Sequence, residues 1–327
     1  MHCGRVRRAR PLLGTLVEIS LAGTGREDLH QAADRAFAEI ACIHESMSAH
    51  SIHSDVFRIN SAPVRCVVPV AESTWRVLEL ATDISNASDG VFDVTIGGAM
   101  RARGDLPALT DRSPDPGATF RDIELLPGNR VRLHRTLAID LGGIAKGYAV
   151  DVAIDVLKRN GVLAACVNAG GDLRVYGAEA TTVQVRDPLD PSIARAQLQL
   201  QDCALATSAN YASDHGYSSA GVVLDPRCGE AAGAGRSASI RASHCAIADA
   251  LAKCVLMLGE SCTALLAHYR ADGFLLDGRV QRVFGSSTTV DDSGLMAQSQ
   301  PASAGRLGSC ERFDAKALNH RFNVRAS

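Results

Sequence analysis

Between Arg241 and Glu260 runs the segment ASHCAIADALAKCVLMLG, in which Asp249 and Lys253 are the only formally charged side chains. A helix this apolar on every side has to be covered on every side, so the chain must build layers around it. The spacing i,i+4 puts the two charges on one face. A buried charge must be paired or coordinated. An internal ion pair is the plain reading. A binding site is the sharper one, and the cost of burying charge puts it ahead.

At 327 residues and 46% apolar composition the chain has enough material for a sizeable core. A net charge of −2, a pI near 6.5 and 4% aromatic residues leave no basic footprint and few stacking platforms, which argues against nucleic acid. The opening MHCGRVRRARPLLGTLVEIS has arginines before apolar residues, but Glu18 interrupts the run and no small-residue cleavage site follows; it reads as a strand with a basic lead-in. The ten cysteines show no CxxC pair and no metal-finger spacing, and together with the lack of a secretory signal they favour a cytoplasmic location. No stretch approaches the ~18 uncharged apolar residues of a membrane span, so none is expected.

Alternation predicts a strand over 12–22, and helical spacing predicts helices over 27–47 and 72–87. The stretch 105–120, rich in Pro, Asp and Gly, reads as a loop. Ala149, Val152, Ala153, Val156 and Leu157 recur with helical spacing, so a helix starts near Ala145 and stops at Asn160-Gly161. Strands are expected at 163–168, 172–177, 181–186, 196–201, 219–224 and 235–241, a helix at 245–258 and a last helix–strand pair over 260–284. Beyond residue 285 the composition turns to Ser, Ala, Gln and Gly without periodicity. Residues 1–285 therefore read as the folded domain and 286–327 as a disordered tail. The mixture of antiparallel-looking strands and a few helices predicts an α+β fold.

Arginine is this chain's default cation, with only four lysines among 34 basic residues, yet DLGGIAKG places Lys146 at a strand-to-helix turn. Glycines allow close backbone approach, a helix N-terminus favours anions, and the lysine adds a mobile charge, so a phosphate or pyrophosphate suits the place. A tight turn with a surface lysine is the alternative. VFDVTIGG (91–98) puts Asp93 and Thr95 on one side of an extended segment, and VNAGGDLRVYG (167–177) alternates Asp172 and Arg174 after a glycine pair. Hairpins that need glycine in their turns account for both.

Taken in order, LLGTLVEI, MSAHSIHSDVFRIN, GVFDVTIGG, DLGGIAKGYAVD, VNAGGDLRVYG, LATSANY, LDPRCG and ADALAK resemble the FAD:protein FMN transferases, the ApbE family, over about residues 10–285. The resemblance implies a T-fold-like α+β architecture with mixed or antiparallel sheets and packed helices. It also implies an enzyme that binds FAD with Mg²⁺ and transfers FMN to a Ser or Thr of an acceptor flavoprotein. By family position, Leu13, His50, Val91, Phe92, Asp93, Asp140 and Lys146 would line the FAD site, and Gly143, through its carbonyl, and Asp249 would hold the metal.

The chain departs from the family pattern at four of these places. Lys253 stands where the resemblance implies a threonine metal ligand, Val222 where it implies a catalytic histidine, Leu13 for a methionine and His50 for a tyrosine. A charged lysine has no lone pair to give a metal. The expectation is therefore either Mg²⁺ or, in its place, the Lys253 ammonium neutralising Asp249 and the FAD phosphates. The catalytic base is left open, with His215 the candidate. Two other readings stand beside transfer: an FAD-binding protein without catalysis, and a pyrophosphatase that yields FMN and AMP.

Overall fold

The computed structural model describes residues 3–211 and 222–285, all within one compact unit. The expected tail 286–327 and the candidate base His215 lie outside the described residues. In chain order the elements are β1 (Cys3–Leu12), β2 (Thr15–Thr24), α1 (Arg26–Met47), α2 (Asp55–Ser61), β3 (Val67–Pro69), α3 (Glu72–Ala87), α4 (Gly97–Arg103), β4 (Ile123–Leu126), β5 (Arg130–Leu133) and α5 (Ala145–Arg159). There follow β6 (Ala164–Ala169), β7 (Asp172–Tyr176), β8 (Thr181–Arg186), β9 (Ala194–Leu200), β10 (Ala204–Asn210), β11 (Arg236–Ala242), α6 (Cys245–Leu258), α7 (Thr263–His268), β12 (Asp272–Asp277) and β13 (Val280–Phe284). The fold is α+β, as the strand and helix pattern predicts.

Eight strands form one sheet in the order β1-β2-β6-β7-β10-β11-β12-β13, each pair antiparallel. Helices α1, α5 and α6 pack on it. A separate core cluster gathers Leu173, Val175, Leu205, Phe274 and Leu276 of the large sheet with Val185, Ala196 and Leu200 of the β8–β9 hairpin. Because strand side chains alternate, Asp172 and Arg174 point away from Leu173 and Val175, toward the helices. A smaller sheet, β3-β5-β4, sits beside α3, where the Trp75 indole donates to the Leu126 carbonyl.

By length and composition alone, Cys245–His268 is a helical run apolar enough to cross a membrane, with mean hydropathy 1.6, which the sequence reading did not anticipate. In the fold the run is α6, a 3-10 turn at Gly259–Cys262, and α7. Val255, Leu256 and Leu251 of α6 are fully buried, as an all-round apolar helix requires.

Several expectations are corrected. The basic lead-in is itself a strand: Leu13 and Gly14 both take positive φ, 55° and 70°, in a two-residue turn that pairs Leu12 with Thr15. Arginines fit this edge strand because Arg8 and Arg10 both reach Asp34 on α1, and Arg10 lies over the Phe37 ring. The segment 91–98 is a turn leading into α4, joined to Ala138 by a single parallel bridge at Ile96. Where a strand was expected at 219–224, the described residues 222–224 carry only the bridge Leu224 to Ala231. β10 was not anticipated, and the final helix is followed by a hairpin, β12–β13, not by one strand.

Candidate functional site

Two aspartates and two lysines meet where the start of α5, the middle of α6 and the first residue of β7 converge. Lys146, in the first turn of α5, has its Nζ 3.1 Å from Asp172 Oδ2 and 3.6 Å from Asp249 Oδ2, and it donates to the Gly142 carbonyl at 3.2 Å. Asp249 Oδ2 accepts the Gly147 N–H at 3.2 Å, while Asp249 Oδ1 accepts from Lys253. Charges thus alternate along Asp172, Lys146, Asp249 and Lys253. The two carboxylates are almost completely buried, whereas the Lys146 side chain keeps 29% of its surface exposed and opens the cluster to solvent.

The backbone brings these groups together by close approach. A Cβ on Gly147 would fall 2.4 Å from the Cys245 carbonyl oxygen, so only glycine lets α5 cross the N-terminus of α6 this closely. Gly143 faces the stem of Lys253 and the Phe92 ring, with 3.2 Å to Lys253 Cε and 3.3 Å to Phe92 Cε2 from a Cβ built there. The turn before α5 is fixed from a distance by Asn60 of α2, whose amide donates to the Ile139 carbonyl at 2.9 Å and accepts the Ile139 N–H at 2.7 Å. Next in the chain, Asp140 accepts from Gly142 N–H at 3.1 Å. Ile144, the residue before α5, offers no capping side chain, and the carboxylate of Asp249 takes the Gly147 N–H of the helix's first turn in its place.

Burial alone would push the Lys146 ammonium toward neutrality, but Asp249 and Asp172 outweigh it and hold its pKa above that of a free lysine. Burial, with Asp249 nearby, raises the Asp172 carboxyl above the usual carboxylate range against the pull of Lys146 and Lys253. Asp140 is also raised by burial, opposed by the Gly142 N–H and by the charges of Lys146, His50 and Lys253.

Of the residues the sequence singled out, Asp140, Gly143, Lys146, Asp249 and Lys253 come together here. His50 is exposed and sits where its charge reaches Asp140. Phe92 touches the cluster at Gly143, and Val91 beside it is buried. Asp93 spends both oxygens inside the protein: Oδ1 accepts from the backbone and hydroxyl of Thr95 at 2.8 Å each, and Oδ2 from Phe120 N–H at 3.1 Å. Burial raises its pKa against these bonds. Leu13 occupies the β1–β2 turn, and Thr15 of that hairpin packs on Gly170, two residues before Asp172. Val222 is half-buried and offers no titratable group.

The donors do not fit the Mg²⁺ that the resemblance implies. Both Asp249 oxygens are engaged, Lys253 brings a cation instead of a lone pair, and among the described residues no three His, Cys, Asp or Glu side chains are grouped to hold a metal.

The hairpin expected around Asp172 is β6–β7, with Ala169 paired to Asp172; what the sequence did not show is that this carboxylate, and Ser208 on β10, join the charge cluster. The signal for Asp172 was its alternation with Leu173 and Val175, which sends it to the helix side of the sheet. A second buried acid went unnoticed as well. Asp151 of α5 accepts the Cys245 and Ala246 N–H groups at 2.9 Å each and pairs with Arg174 at 2.8 Å, capping α6, which has no side-chain cap of its own.

The sequence model of the ApbE family matches residues 13–274. An FAD:protein FMN transferase of Rhodobacter capsulatus is 28% identical over 265 residues, covering 76% of this chain and 50% of its own length, so the chain spans about half of that relative. One from Vibrio cholerae is 27% identical over 280 residues, covering 78% of this chain and 82% of its own. Among solved structures, the ApbE protein of Thermotoga maritima superimposes with a TM-score of 0.73 at 25% identity, over 86% of this chain and 97% of that one. The chain belongs to the ApbE family.

Proposed function

We propose that the protein is an FAD:protein FMN transferase: an enzyme of the transferase class that takes FAD as substrate and an acceptor flavoprotein as partner. A Ser or Thr hydroxyl of the acceptor attacks the phosphorus on the FMN side of the diphosphate. A phosphoester forms, the bond to the bridging oxygen breaks, AMP leaves, and the hydroxyl proton is released. In this reading Lys146 meets the diphosphate. It is held between Asp172 and Asp249 with its charge secured, in the first turn of α5, and it keeps 29% of its side-chain surface exposed. That arrangement is the observation that carries the proposal. The glycines at 142 and 143 add no side chain of their own to this turn, where Asp140, Phe92 and the Lys253 stem already crowd the space, and the charge of His50 acts on Asp140. No step is routed through a metal, because the donors present do not fit one.

Val222, without a proton acceptor, favours a second reading in which the protein binds FAD and does not transfer it. One experiment separates the readings: incubation with FAD and an acceptor domain bearing an exposed Ser or Thr, followed by mass spectrometry. An acceptor heavier by one esterified FMN, with AMP in solution, supports the transferase. Bound, intact FAD supports the binder, and free FMN with AMP and no adduct makes it a pyrophosphatase.

A further inference from the structure

Lys253 is a largely buried cation with three oxygen partners in reach. An ammonium has three N–H bonds to give, and here all three go to protein oxygens. They reach Asp249 Oδ1, the Asp249 backbone carbonyl at 2.9 Å and the Ser208 hydroxyl at 3.3 Å. Two of these oxygens come from one residue of α6 and the third from the neighbouring strand β10. This is the arrangement of hard oxygen donors around a small cation, with a tethered ammonium in the ion's place. The stem is pinned too, since its Cδ and Cε lie against Gly143, where a side chain would fall 3.2 to 3.3 Å away.

The consequence differs from what the sequence suggested. With no N–H left over, Lys253 neutralises Asp249 and does not reach out to a phosphate. On its other oxygen Asp249 holds the Gly147 N–H and faces Lys146, so a divalent ion at this carboxylate would stand against two ammonium groups within a few ångströms.

We propose that Lys253 is a resident cation filling a cage made by Asp249 Oδ1, the Asp249 carbonyl and Ser208 Oγ. The protein therefore takes up its dinucleotide without a divalent metal, and removal of the lysine head group opens the cage to an exogenous ion. The dinucleotide clause rests on the transferase reading; the cage does not.

Two measurements test it. Mn²⁺ is titrated into flavin-free protein and unbound Mn²⁺ is followed by EPR. The expected result is no stoichiometric binding by the native chain, one ion per chain for Lys253→Ala, and weakening of that binding by about tenfold when Ser208→Ala is added. Lys253→Ser serves as a second vacating variant should the alanine variant not fold. FAD binding is then followed by flavin fluorescence with EDTA and with Mg²⁺. The native affinity should agree within about twofold between the two, while the vacated variant should gain about tenfold or more from Mg²⁺. Stoichiometric Mn²⁺ on the native protein, a loss of native FAD affinity in EDTA, or a folded vacated variant that takes up no Mn²⁺ each overturns the proposal. A native protein that binds FAD under neither condition sinks the transferase reading instead, and the Mn²⁺ titrations still decide the cage.

Discussion

The same three elements, α5, α6 and β7, build two ionic clusters of different character. In one, Asp151 pairs with Arg174 and accepts two N–H groups from the first turn of α6, and the Arg174 side chain is only 11% exposed. Every acceptor there faces a protein donor, and nothing is turned outward. In the other, Asp172 and Asp249 are as deeply placed as Asp151, yet Lys146 between them is 29% exposed and reaches the surface at the start of a helix. Burial of charge alone therefore does not make a site. The first cluster holds α6 in place, and the second, with an open side and a partly exposed ammonium on it, can meet an anion.

Substitutions can break this contrast. The largest effect is expected for Asp151→Ala, which strips the cap from α6 and leaves Arg174 buried without its acid. It should cost about 3 to 5 kcal/mol in urea unfolding and leave the FAD affinity of the molecules that stay folded nearly unchanged. Lys146→Met should do the reverse. Loss of the proposed charged contact to the diphosphate should weaken FAD binding by about 10- to 100-fold, read by flavin fluorescence, with the smaller change in stability. Gly147→Ala strikes both clusters, because its Cβ would meet the Cys245 carbonyl. Separation of the helices should lower stability by about 1 to 3 kcal/mol and reduce FAD affinity together.

A smaller effect sharpens the comparison by pH. His244, just ahead of α6, is desolvated and its pKa is lowered to about 4. The unfolded chain, with an ordinary histidine, binds the proton first as pH falls. Stability contributed by the neutral ring is full above about 6.5 and is lost progressively toward pH 4. In the His244→Gln variant that part of the pH–stability curve should flatten in denaturant melts, while FAD affinity stays unchanged. The smallest effect belongs to Arg5→Ala, whose partner Glu179 is as exposed as the arginine itself, and no measurable change in the melting midpoint is expected.

Helices were the most readable part of the sequence. The bounds of α3, α5 and α6 follow from apolar spacing and from stops such as Asn160-Gly161, because these signals are local. The pairing of Asp249 with Lys253 was readable for the same reason, since one turn of helix brings i and i+4 together. Strands were less legible. β1 reads as a lead-in because its arginines look like surface residues until α1 supplies Asp34 and Phe37 beneath two of them. β10, with small and hydroxylated residues in LATSAN, lacks the branched and aromatic side chains that mark a strand, and its place between β7 and β11 comes from pairing with both. Asp93 and Thr95 do share a side, with Asp93 Oδ1 accepting from Thr95, but in a turn and not an extended segment, and the second oxygen holds Phe120, a contact across 27 residues.

By itself the sequence determined that α6 must be an interior helix, that its single acid and single lysine share a face, and that a glycine turn delivers Lys146 to the start of another helix. All of these depend on periodicity and backbone freedom, which act over a few residues. Only the tertiary structure decided that Lys146 would stand between Asp172 and Asp249, that Ser208 would complete the surroundings of Lys253, and that Asp151 would serve α6 as a cap. Those contacts join residues 23 to 103 positions apart, and they exist only once strand order and the close crossing at Gly147 have placed the carboxylates in a dry interior, where each charge must find its partner.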